Sequence, residues 1–211
     1  MTEPSYLTAA RTSYDTVADD YAELVRPLFA NDPVGRSMLG AFAELVRTGG
    51  PVADVGCGPG QVTAHLDSLG LSAFGVDLSP KMVEIARRTY PSLRFEVGSM
   101  TALDLPDGEL GGIVTWWSIF HVPPEVLPVV FAEFHRTLAP GGHVVMGFHV
   151  GDEALRPEQA YGHPVSYEAH LLQPDHLVEL LVQADFTVTA RLIMQGRKRP
   201  QACLLAHKPE L

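Results

Sequence analysis

The run Asp54-Val55-Gly56-Cys57-Gly58-Pro59-Gly60 decides how the rest of this chain is read. Glycines at alternate positions let the backbone turn tightly and let a ligand approach with no Cβ in the way. Just before the turn, Val52-Ala53-Asp54-Val55 has the length and apolar character of a buried strand. Residues 61–69 follow as a helix that Gly70 stops, and a helix start presents unpaired N–H groups. The next apolar run, Ala73-Phe74-Gly75-Val76, ends in Asp77. A carboxylate there can accept hydrogen bonds from both hydroxyls of a ribose. Taken alone, Gly-x-Gly-x-Gly is compatible with a simple tight turn, and its spacing differs from the Gly-x-Gly-x-x-Gly of a dinucleotide site. With Asp54 and Asp77 around it, the turn reads as part of a nucleoside site.

The alternation of strand and helix continues outward. Ser79-Pro80 supplies a cap and a first-turn proline for a helix to about residue 90. Strands are expected at 93–97, 110–117 and 143–150, with a helix at 123–138 and a turn at Pro140-Gly141-Gly142. Such alternation predicts a parallel sheet covered on both faces. Before it, Val17, Tyr21, Leu24 and Val25 give one apolar helical face, with Ser13 or Asp15 as its cap and Pro27 as its break. A second helix is expected at 34–47. After the core, residues 151–172 read as a long irregular loop. A helix at 174–183 and strands at 187–194 and 201–207 follow. The short connection between those strands permits an antiparallel pair but not a crossover. The organisation is thus one domain: helices at 1–48, an alternating strand–helix core at 50–150, a loop at 151–172, and a helix and hairpin at 173–211.

The 211 residues are 46% hydrophobic and 19% charged, which excludes a disordered chain. A net charge of −10 argues against non-specific nucleic-acid binding and against docking on an anionic membrane. Two cysteines are too few for a disulfide framework or a cysteine-rich zinc site. No secretory leader and no membrane span is read, so a reduced, cytoplasmic setting is expected. The 12 arginines against 3 lysines suggest a GC-rich bacterial genome.

These segments resemble the class I S-adenosylmethionine-dependent methyltransferases, in their small type 11 branch. The likeness runs in order through the glycine loop, Gly75-Val76-Asp77-Leu78-Ser79-Pro80-Lys81-Met82, Val97-Gly98-Ser99-Met100, Leu103-Asp104-Leu105-Pro106 and Arg136-Thr137-Leu138-Ala139-Pro140-Gly141-Gly142. It implies a Rossmann-like α/β fold with a seven-stranded, mostly parallel sheet in the order 3-2-1-4-5-7-6. It also implies S-adenosylmethionine as cofactor, with Asp54, Gly56, Cys57, Gly58 and Gly60 around its methionine part. By the same resemblance, Asp77 would hold the ribose, Leu78 and Met82 would sandwich the adenine, and Gly98, Ser99 and Met100 would meet its edge. The family often has an acidic residue where Ser99-Met100 stands, so Ser99 and the Met100 N–H take that place. Cys57 suits the loop by its small size rather than as a nucleophile.

Trp116 and Trp117 end the fourth strand. Because side chains alternate along a strand, only one is expected to face the site, with Trp116 beside the cofactor's sulfonium and Trp117 towards the acceptor. The alternative for each is core packing. His121, just past that strand, is the candidate base, against a purely structural role at the turn. In related enzymes such an N-terminal helix closes over the cofactor as a lid, so the resemblance implies cofactor contacts for Tyr14 and Tyr21, which are seven apart and share a face, with Tyr14 also a catalytic candidate. Arg11 lies on the same helix. His163 and Tyr167 are the candidate acceptor contacts. Arg197 and Arg199 could meet an anionic acceptor, although a solvated hairpin tip is the simpler reading. No metal-ligand spacing is found, and no Asn-Pro-Pro-Tyr follows the fourth strand.

The sequence therefore predicts methyl transfer to a small molecule, with oxygen as the expected acceptor atom, in bacterial specialised metabolism, by a monomer or homodimer. Methylation of nitrogen or carbon, a non-methylating reaction such as cyclisation on the same fold, and a plain nucleotide-binding module are the alternatives.

Overall fold

The computed structural model describes residues 3–196 and 199–210, so Arg197 lies outside the described residues. The seven main strands are β1 (Val52–Val55), β2 (Ala73–Asp77), β3 (Arg94–Val97), β4 (Leu110–Trp116), β5 (Leu138–His149), β6 (Thr187–Met194) and β7 (Gln201–His207). They form one sheet in the order β3-β2-β1-β4-β5-β7-β6. Only β7 runs antiparallel to its neighbours, β5 and β6. Among the described residues, six α-helices cover the sheet: α1 (Ser5–Ala30), α2 (Pro33–Val46), α3 (Gln61–Ser68), α4 (Pro80–Thr89), α5 (Leu127–Thr137) and α6 (Pro174–Gln183). This is the α/β class that the alternation of strand and helix predicts and the strand order that the resemblance implies.

The central strands β1 and β4 are buried along their whole length. One face packs Ile113, Val144 and Met146 against Phe131, Phe134 and Leu181 of α5 and α6. The other packs Val52, Val114 and Val145 against Leu39, Phe42 and Leu66 of α2 and α3. Close approach matters on this second face: a Cβ at Gly112 would lie 2.6 Å from the Phe42 ring. A smaller cluster joins α1 to α4 through Ala18, Ala22, Met82 and Ile85.

Several local expectations are corrected. α1 is one helix of 26 residues with Pro27 inside its last turn, rather than a helix broken at Pro27. Pro27 leaves the Glu23 carbonyl without its i+4 donor and only one turn of helix follows; Asn31 closes that turn by donating both its backbone N–H and its Nδ2 to the Pro27 carbonyl. Ser13 and Asp15 lie mid-helix and do not cap α1. They serve other segments. Ser13 Oγ accepts the Ser166 N–H at 3.0 Å, and Asp15 accepts from Ser79 Oγ at 2.5 Å and the Lys81 N–H at 3.1 Å. α5 begins at Leu127 with Pro128 in its first turn, because Pro123 and Pro124 hold the preceding residues out of the α-helix and Pro124–Val126 forms a short 3-10 turn. The expected turn at residues 140–142 sits inside β5 as an irregularity, where pairing jumps from Leu110↔Leu138 to Gly112↔His143.

The stretch 151–172 is an arm of nested short pairs rather than an irregular loop. Ala154–Leu155 pairs with Ala169–His170, and Gln159–Ala160 with His163–Pro164. Its tip, Tyr161-Gly162, has φ of 54° and 82°, the left-handed pair of a tight hairpin turn.

Candidate active site

The loop after β1 forms the floor. Gly56 (φ 79°) turns the chain under Ser118: a Cβ there would lie 2.2 Å from the serine Cβ. Ser118 Oγ donates to the Val55 carbonyl at 2.8 Å, fastening the turn after β4 to this floor. Gly58 and Asp77 are locked together, since the Gly58 N–H donates to Asp77 Oδ2 at 2.7 Å. Asp77 Oδ1 accepts the Ser79 N–H at 2.8 Å. Each carboxylate oxygen thus keeps a lone pair for a further donor. Burial pushes this carboxyl up to about 6. Beneath the floor, Asp54 Oδ2 accepts from Thr63 Oγ1 at 2.6 Å while Oδ1 is buried without a partner. Burial pushes Asp54 up to about 7.

Above this floor lies a cavity of about 90 Å³. Gly56, Gly58, Asp77, Leu78, Met82, Gly98, Ser99 and Met100 line it, and α1 closes it with Tyr14 and Tyr21. These predicted residues are brought together. Tyr6, Leu7 and Ala10 line the cavity too and were missed. Their sign was present: Leu7, Ala10, Tyr14, Val17 and Tyr21 recur at spacings of three and four, one face of a helix. Arg11 also lines it, its Nε donating to the Leu78 carbonyl at 3.3 Å and its guanidinium paired with Glu3. Leu78 and Met82 provide the apolar faces that an adenine needs. Asp77 and the open glycine turn provide acceptors and room for a sugar, so the residues fit S-adenosylmethionine.

Four expected cavity residues sit elsewhere. Cys57 is buried with Val83, Ala86 and Phe95, and burial holds its thiol well above the ordinary range. Gly60 serves close packing, because a Cβ there would lie 2.8 Å from Phe95. Asp54 lies below the loop and does not line the cavity. Trp116 faces the α2 side, against Gly35 and Gly147, while Trp117 lines the cavity. Only Trp117 lines this cavity, so the expected placement of Trp116 beside the cofactor is not met, while both tryptophans line the larger cavity described below. Trp117 takes φ of 57°, a costly conformation for a large side chain, and such strain is concentrated at functional sites.

Tyr14 and His121 meet at the cavity wall. Tyr14 Oη lies 2.7 Å from His121 Nε2, and His121 Nδ1 lies 3.0 Å from the Glu168 carbonyl. A carbonyl only accepts, so Nδ1 holds the proton, Nε2 is bare, and Tyr14 donates to it. Burial lowers the histidine to about 4 and raises the Tyr14 phenol well above its ordinary value. Both are therefore neutral across the physiological range.

A second cavity, of about 730 Å³, lies beyond Tyr14, Tyr21 and Trp117, which line both. Its other aromatic walls include Trp116, Phe120, His149, Tyr161 and Tyr167, and Arg199 also lines it. Tyr167 stacks on Tyr14 at 5.6 Å. His163 does not reach this space: it faces outward and pairs with Asp20 of α1 at 2.7 Å. Arg199 is half-buried at the cavity wall rather than a solvated hairpin tip. Among the described residues, no three His, Cys, Asp or Glu side chains gather as a metal site requires, and no helix is long and apolar enough to cross a membrane.

The sheet order, the glycine floor and the carboxylate at the end of β2 together define a class I methyltransferase fold. Residues 52–142 match the family model described as a methyltransferase domain. Among curated relatives, an uncharacterized methyltransferase from Synechocystis is 31% identical over 46% of this chain and 46% of its own length. An O-methyltransferase from Pyrenophora dematioidea is 26% identical over 71% of this chain and 58% of its own. The chain thus spans about half the length of these relatives. Among solved structures, the Burkholderia thailandensis 1,6-didemethyltoxoflavin N1-methyltransferase, with bound 1,6-didemethyltoxoflavin and S-adenosylhomocysteine, superposes with a TM-score of 0.76 at 20% identity. That match covers 100% of this chain and 92% of the other.

Proposed function

We propose that the protein transfers a methyl group from S-adenosylmethionine to an oxygen atom of a small molecule. The observation that supports it most is the Tyr14–His121 pair at the boundary of the two cavities. When bound, S-adenosylmethionine supplies an electrophilic methyl group on a sulfonium. Everything else in the proposal is done by the chain. Asp77 takes the ribose hydroxyls, Leu78 and Met82 enclose the adenine, and Ser99 with the Met100 N–H meets its edge. Tyr14 and Tyr21 exclude water from one side, and Trp117 presents an aromatic face where a cation would be favoured.

His121 Nε2 accepts the Tyr14 phenol, so an incoming hydroxyl points its proton at the Tyr14 oxygen, which in turn passes its own proton to Nε2. The Glu168 backbone carbonyl keeps that nitrogen unprotonated by accepting a hydrogen bond from Nδ1–H, which holds the proton on Nδ1. Orientation of the hydroxyl oxygen and removal of water then account for most of the rate enhancement. The domain organisation of lid, core, arm and hairpin is part of the same proposal. The direct test is calorimetry with S-adenosylhomocysteine. Micromolar binding supports the reading, and no binding sinks it.

A further inference from the structure

The larger cavity has a composition that its position alone does not require. Its wall is aromatic on several sides: Trp117 and His149 lie 5.1 Å apart by ring centroids, Phe120 and His149 5.4 Å, and Tyr161 packs edge-on to Tyr21 at 5.3 Å. Tyr161 reaches that contact from a left-handed backbone, which costs free energy that the hairpin turn does not need a tyrosine to spend. Flat surfaces of this kind favour a flat, π-rich guest.

The polar groups are equally particular. Five buried polar side-chain atoms among the described residues have no hydrogen-bond partner, and three belong to residues that line this cavity: Gln61 Oε1, Trp116 Nε1 and His149 Nδ1. Native structures leave few such atoms unpaired, and each asks for an explanation. Trp116 is only 6% exposed, so its N–H has little solvent to turn to. The charge is asymmetric as well. Arg199 and Asp32 are the charged side chains on the wall. Asp32 already accepts the Gly35 N–H at the start of α2. Arg199, among the described residues, pairs with no carboxylate, although the chain as a whole carries −10. It lies close enough to His149 to lower that ring's proton affinity, with burial the larger cause.

We infer that this cavity takes a flat aromatic molecule bearing an anionic group, held by stacking on the aromatic wall and by Arg199 at the anion. That this guest is the methyl acceptor rests on the methyl-transfer reading above. Its presence in the cavity does not. A cation without a partner in a half-buried aromatic setting is a selector for anions, because a charge-assisted hydrogen bond there is worth more than in open water.

Both tryptophans of the chain line the cavity, so intrinsic fluorescence reports on it directly. The test titrates 2-naphthoate, the neutral 2-naphthylmethanol and the non-aromatic cyclohexanecarboxylate into the full chain, with and without saturating S-adenosylhomocysteine. Naphthoate is expected to quench saturably and to bind more tightly than either control. Arg199→Gln is expected to weaken naphthoate by about tenfold or more while leaving naphthylmethanol unchanged. Tyr167→Leu is expected to weaken both naphthyl compounds, with thermal melting confirming that each variant folds. Equal affinity for naphthoate and naphthylmethanol, an Arg199→Gln variant that loses no preference for the anion, or no saturable quenching at all would each overturn the inference. Binding of S-adenosylhomocysteine is measured separately. If it fails while naphthoate still binds through Arg199, the methyl-transfer reading falls and the aromatic-anion cavity stands.

Discussion

Tyr14 Oη and His121 Nε2 lie 2.7 Å apart although 107 positions separate them in the chain. The contact joins α1 to the turn after β4, and the Glu168 carbonyl fixes its direction from the far side of the imidazole. Tyr14→Phe and His121→Asn should each lower single-turnover methyl transfer to a hydroxylated aromatic acid by about 10²-fold or more. The effect on affinity for S-adenosylhomocysteine should be much smaller. The double variant should be no slower than the worse single one, as for groups that act as a unit. Additive losses would show that the two residues act separately.

The pH dependence separates the histidine from the carboxylate. Burial holds His121 near about 4, so it stays neutral, and competent to accept, as pH falls through the ordinary histidine range. Turnover at saturating donor is therefore expected to stay level from about pH 8 to about pH 5. Asp77 sits at about 6, so acidification below that value protonates it and removes an acceptor for the ribose. The KM for S-adenosylmethionine should rise there while kcat does not. A fall of kcat centred on the unshifted histidine value would contradict this arrangement.

Asp77→Ala should weaken S-adenosylhomocysteine binding by calorimetry, with a loss of about 1–3 kcal/mol or more. The variant also removes the acceptor of the Gly58 and Ser79 N–H groups. The glycine turn should loosen with it, visible as faster amide exchange at those two residues. An unchanged affinity would mean that the ribose lies elsewhere.

Asp54 predicts a stability effect of opposite sign to the usual carboxylate. Its folded value, about 7, lies above the unfolded value near 4. Between those pH values the folded chain binds more protons than the unfolded one, so this group's contribution to stability is lost as pH rises. Asp54→Asn cannot ionise and can still accept from Thr63. Its melting temperature relative to wild type should climb as pH is raised from about 5 to about 8. A difference that is flat or falling with pH would mean that Asp54 is not held in the way its burial indicates.

The sheet and its floor were legible because their causes are local. Val52–Val55, Pro174–Gln183, Thr187–Met194 and Gln201–His207 fall where apolar runs, Gly and Pro place them. Ser79 caps α4 as its sequence neighbours suggest. What was not legible depends on chain-distant partners. Asp15 looks like a cap for its own helix, yet it caps α4, because α1 folds down beside it. His163 looked like a site residue by its type, but the hairpin turns it out to Asp20. The choice between Trp116 and Trp117 hinges on the left-handed turn at Trp117, which no propensity for tryptophan would suggest. The arm at 151–172 escaped because each of its strands is two residues long, too short for any periodicity.

The walls of the larger cavity also have an uneven origin along the chain. The matched methyltransferase segment, 52–142, supplies Trp116, Trp117 and Phe120, whereas Tyr14, Tyr21, His149, Tyr161, Tyr167 and Arg199 come from before or after it. The larger cavity thus draws more of its wall from outside the matched segment than from within it, while Tyr14, Tyr21 and Trp117 serve both cavities. Descendants of this chain can trade one guest for another by altering the flanks, with the nucleoside floor left intact, and relatives that share only the middle segment have no obligation to share a substrate.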